Sequence, residues 1–166
     1  YIVGVLGELY NLGVRGFVLE SCQFPGSENA SVATYPGEKN YKSRNDVLLS
    51  FLKKARRALN DDAFILLGLS AADAQKGNLQ IFDGSLSAAA IDGIAPDISQ
   101  REAEYIIDKK TSFASMLSLY SEMSSAYKDK ALIPIVSTQE YSKKFFSTMK
   151  KAGYDSYILY NSEGKY

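Results

Sequence analysis

The stretch Phe17-Val18-Leu19-Glu20-Ser21-Cys22-Gln23-Phe24-Pro25-Gly26 begins as an apolar run, changes within one step to an acid and polar side chains, and stops at a Pro-Gly pair. Apolar residues closed off by turn formers predict a buried parallel strand over 16–23 with a carboxylate at its C-terminal tip. Parallel α/β folds place their chemistry at that end of their strands, so Glu20 is the first residue to explain.

Upstream, Ile2, Val3, Val5, Leu6, Leu9 and Leu12 recur at helical spacing up to Gly13, which predicts a helix over 1–12 feeding the strand. Downstream, residues 24–42 hold two prolines, two glycines and scattered Ser, Asn and Thr without periodicity. A loop of that length in a compact domain is usually functional, and this one follows Glu20 directly. Ser43 with Asp46 resembles a helix start, and Val47, Leu48, Phe51, Leu52, Ala55, Ala58 and Leu59 continue it at helical spacing. Lys53, Lys54, Arg56 and Arg57 fall on the other side, as expected of a solvated outer face near a helix C-terminus.

The same alternation continues to the end of the chain. Ala63 to Leu69 is a second buried strand, and Ile91 to Asp97 a short third one after a brief helix near Leu86 to Ala90. One broken or two consecutive helices span Arg101 to Tyr127. Ala131 to Val136 is a fourth strand, Tyr141 to Ala152 a helix stopped by Gly153, and Tyr154 to Tyr160 a fifth strand ending at Asn161. Strands alternating with helices require parallel pairing. A full (β/α) barrel takes about 250 residues. At 166 residues the chain suits either the later part of a TIM barrel or an open doubly wound parallel sheet of five strands, and the pattern alone leaves both open.

With 46% hydrophobic and 23% charged residues the chain can fill one sizeable core, so it reads as a single α/β domain over 1–166. Nineteen basic and nineteen acidic residues cancel, so no whole-domain field draws in nucleic acid or an anionic membrane. Residues 1–14 lack a basic leader and carry Glu8 and Asn11, which fits neither a signal peptide nor a spanning helix. The chain opens on Tyr1 rather than Met, from which a processed or truncated start is expected. There is no histidine and one cysteine, which excludes within this chain a Ser-His-Asp triad, a Cys-His dyad, any His-bearing or Cys-rich metal site and an internal disulfide. Cys22 suits a small buried strand residue. No phosphate-binding glycine loop follows any strand, and no cofactor is expected. Carboxylate, amide and tyrosine chemistry remains.

The segment Gly16 to Pro25 resembles the strand signature of the DUF4015 family of glycoside-hydrolase-like proteins, relatives of the α-amylase type of barrel. Glu20 takes the acid position, and Phe24 and Pro25 match, while Ser21 and Gln23 stand where the family carries an aromatic and an arginine. Further likenesses follow in order. Ser43 to Leu59 resembles the family's next helix, Ile91-Asp92-Gly93-Ile94-Ala95-Pro96 its Asp-aromatic-Ile-Ser-Pro strand, and Leu159-Tyr160-Asn161 its closing Leu-Trp-Asn strand. The resemblance implies that the chain begins near the third helix, supplies strands four to eight of the barrel, and acts on carbohydrate outside the cell or at its envelope.

Cleaving a glycosidic bond commonly needs two carboxyl groups, one protonating the leaving oxygen and the other serving as nucleophile or base. The resemblance gives Glu20 the nucleophile position. Its acid partner is sought among Asp73, Asp97 and Glu140, all following strand ends. Gln23, Gln139 and Asn161 are suited to bind sugar hydroxyls, and Tyr35, Tyr41 and Tyr160 to stack on a sugar face. The same side chains equally suit loop capping, helix first turns and strand-end amides that hold a loop. The leading expectation is a glycoside hydrolase acting on a poly- or oligosaccharide. The alternatives are a barrel that binds glycans at the cell envelope without cleaving them, and a stand-alone doubly wound ligand module.

Overall fold

The computed structural model describes residues 1–22, 34, 36–70, 90–97, 121–125, 130–137 and 143–160. Their elements in chain order are helix α1 (Ile2–Asn11), strand β1 (Gly16–Leu19), a 3-10 turn (Glu38–Asn40), helix α2 (Arg44–Leu59), β2 (Phe64–Ser70), β3 (Gly93–Asp97), β4 (Ala131–Leu132), β5 (Ile135–Ser137), α3 (Lys143–Ala152) and β6 (Ile158–Tyr160). Helical backbone also covers 121–125.

The strands lie in the order β1-β2-β3-β5-β6, with β4 beside β3. Pairing is parallel between β3 and β4, β3 and β5, and β5 and β6. Apart from the short β4, each described strand thus neighbours the next in the chain. A doubly wound sheet would reverse its order at a switch point. No reversal occurs among the described strands, and the fold is a partial (β/α) barrel by its winding.

The chain divides into two compact units, residues 1–66 with 79–92, and residues 67–78 with 93–166. In the first, α1 packs on α2. Ser43 caps α2, its Oγ accepting the Asp46 N–H at 3.2 Å, as the sequence signature leads one to expect. Leu52, Ala55 and Leu59 form the buried stripe of this helix. Strand β1 departs from the expectation of a strand covered on both faces. Phe17 and Leu19 are buried, whereas Gly16 and Val18 are exposed, because β1 stands at the end of the strand order. The strand beginnings are aligned by the Phe64 N–H on the Arg15 carbonyl (2.7 Å) and the Asp92 N–H on the Ile65 carbonyl (2.8 Å).

In the second unit, Leu67 and Leu69 of β2 and nearly all of β3 are buried, with Leu67, Ile94 and Ala95 at 0% exposure, as suits strands inside a parallel sheet. The expected fourth strand is two short ones, because Pro134 has no N–H to continue a ladder. The Ile133 N–H turns instead to the Ile94 carbonyl (3.1 Å), and the Pro134 carbonyl accepts the Ile158 N–H (2.8 Å). Helix α3 stops at Gly153, whose φ of +107° needs a residue without Cβ, and the Tyr154 N–H closes back on the Met149 carbonyl at 3.1 Å. Tyr154 and Met149 are buried beneath it.

Candidate functional site

Glu20 lies one residue beyond β1, at the C-terminal tip assigned to it, and its side chain is exposed. Among the described residues no hydrogen-bond donor or cation pairs with its carboxylate, so neither capping nor ion pairing occupies it there. Ser21 follows with φ +55°, in the left-handed region that an L-residue other than Gly, Asn or Asp enters at a cost of about 1–2 kcal/mol. Such outliers persist where the surroundings demand them, and they cluster at functional sites. Cys22 is half-buried, and burial pushes its thiol up from the ordinary cysteine value. Little thiolate is therefore present near neutral pH, and Cys22 is expected to react with a maleimide or an aryl disulfide more slowly than a free cysteine at pH 8. A rate equal to that of free cysteine would contradict the packing.

Every described strand that reaches the far edge of the second unit finishes in a side chain capable of hydrogen bonding. These are Ser70 on β2, Asp97 on β3, Ser137 on β5 and Tyr160 on β6. Ser137 pairs in register with Tyr160, which sets the tips of β5 and β6 level, while Asp97 at the end of β3 lies level with Ile135, where β5 begins. Asp97 is half-buried. Of the expected site residues, Glu20 belongs to the first unit and Asp97 to the second. Asp73, Gln23, Tyr35, Gln139, Glu140 and Asn161 lie outside the described residues. Among the described residues no three His, Cys, Asp or Glu side chains group to hold a metal ion, and no helix is long and apolar enough to cross a membrane.

The opposite end of the first unit, where its strands begin, holds a polar network that the sequence reading did not anticipate. Arg56 is not on the solvated face of α2. Only 16% of its side chain is exposed, and its guanidinium donates to the carbonyls of Ala63 (2.6 Å), Ala90 (3.1 Å) and Asn60 (3.2 Å) and pairs with the Asp92 carboxylate. Lys53, Lys54 and Arg57 keep the exposed positions expected of them. Asp92 also accepts the Ile65 N–H at 2.7 Å, so one carboxylate fastens the start of β2 to the residue before β3. Position 56 falls four residues after Leu52 and three before Leu59, on the flank of the buried stripe. That spacing was the available signal.

A second cluster joins the same network. The Tyr10 hydroxyl donates to Asp62 (2.6 Å), Arg15 Nε donates to the other Asp62 oxygen (3.0 Å), and the Arg15 guanidinium lies 4.1 Å above the Tyr10 ring. Asn60 links the two clusters, donating from Nδ2 to the Tyr10 hydroxyl (3.2 Å) while its carbonyl receives Arg56. The Tyr10 hydrogen bond, with help from Arg15, holds the Asp62 carboxyl below the usual carboxylate value. A carboxylate whose folded value is depressed adds stability above its unfolded value of about 4, and loses it as the pH falls through the folded one. The melting temperature of the native protein is therefore expected to fall more steeply with acid below about pH 4 than that of Asp62→Asn. Parallel acid titrations of the two would refute this.

At the N-terminal face of a (β/α) barrel such ties serve stability, whereas ligand chemistry belongs to the C-terminal face. Arg56, Asp92, Asp62 and Arg15 are accordingly structural, and Glu20 and Asp97 remain the candidates for function.

No family model matches the chain, and no curated protein matches it. Among solved structures, an HpcH/HpaI aldolase from Desulfitobacterium hafniense is similar to it, with a TM-score of 0.49 and 14% identity over 97% of this chain and 62% of that one. The chain thus spans less than two thirds of that protein's length.

Proposed function

We propose that this chain is a carbohydrate-active domain of glycoside hydrolase type, with Glu20 as its principal carboxylate. The observation that carries the reading is the position of Glu20, exposed and unpaired by any described residue at the finishing end of a parallel strand. A nucleophile must be reachable by its substrate, and an exposed carboxylate is. The likeness of residues 16–25 to the DUF4015 strand gives the reading its chemical class.

Ser21 and Gln23, where that family carries an aromatic and an arginine, favour a second reading, a domain that holds glycans without cutting them. One experiment separates the two. The protein is incubated with a panel of polysaccharides, reducing ends are measured, and retention on the same glycans is followed by affinity electrophoresis. Hydrolysis predicts that Glu20→Gln lowers the release of reducing ends by about 10²–10⁴-fold while retention persists. Retention without release by the intact protein would leave the binding reading. Undiminished release by Glu20→Gln would remove Glu20 from the chemistry.

A further inference from the structure

We draw no further inference here: the strongest candidate, the exposed apolar surface of α1, the turn after it and β1, where Ile2, Leu12, Val14 and Val18 face solvent, carries nothing because nothing in the structure shows what covers it.

Discussion

Replacing Arg56 by methionine is expected to lower the unfolding free energy by roughly 2–4 kcal/mol, a drop in melting temperature on the order of 5–15 °C for a chain of this size. Methionine fills similar volume and keeps the apolar stem, so the loss isolates the guanidinium. Without it the carbonyls of Ala63, Ala90 and Asn60 lose their donor, and the Asp92 carboxylate keeps only the Ile65 N–H in a site where about a third of its side chain meets water. The figure sits below the cost of breaking a fully buried pair because water can still reach Asp92. Arg56→Lys should fall between, since an ammonium restores the charge but cannot fork toward three carbonyls and a carboxylate together. A double-mutant cycle with Asp92→Asn should give a coupling of at least about 0.5 kcal/mol. Thermal denaturation followed by circular dichroism is sufficient, and an unchanged transition for Arg56→Met would put this side chain back in solvent.

Gly93→Ala should be comparably harmful for a different reason. A Cβ added there would run into the Ala131 carbonyl oxygen and come within 2.8 Å of the Ala131 Cβ and 2.9 Å of its carbonyl carbon. Two of those three atoms are main chain, and Gly93 faces Ala131 directly in the β3–β4 register, so the strands must part. Overpacking of this kind costs about 1–3 kcal/mol and sometimes more. The same substitution at Gly4, inside α1 with nothing within 4 Å of the added atom, should instead stabilise by roughly 0.5–1 kcal/mol through helix propensity. Opposite shifts from one chemical change provide the check. A neutral Gly93→Ala would mean that β3 and β4 do not approach as described.

What the sequence disclosed was local. The capping pair Ser43 and Asp46, the stop at Gly153 and the apolar run of β2 each express a preference that a few neighbouring residues settle, and each stands where expected. What it withheld depended on neighbours distant in the chain. Whether Val18 faces packing or water is decided by how many strands flank β1, which an apolar run does not record. Arg56 looks like any outer-face cation until Asp92, 36 residues away, is brought beside it. Pro134 is the exception, a break visible in the sequence and nonetheless read through as strand, although a proline without an N–H argues for an interruption. For the site, the abrupt change from apolar run to acid was enough to locate Glu20 and Asp97 at strand tips, because strand polarity fixes which end carries loops. Their roles were not legible, since the same pattern serves a cap and a nucleophile alike.

The continuous chain of contacts from Asp92 through Arg56, Asn60 and Tyr10 to Asp62 and Arg15 makes rigidity in the first unit lopsided. Loosening any link deprives the next of a partner, so these contacts are coupled to one another. The end bearing Glu20 shows no such harness among the described residues.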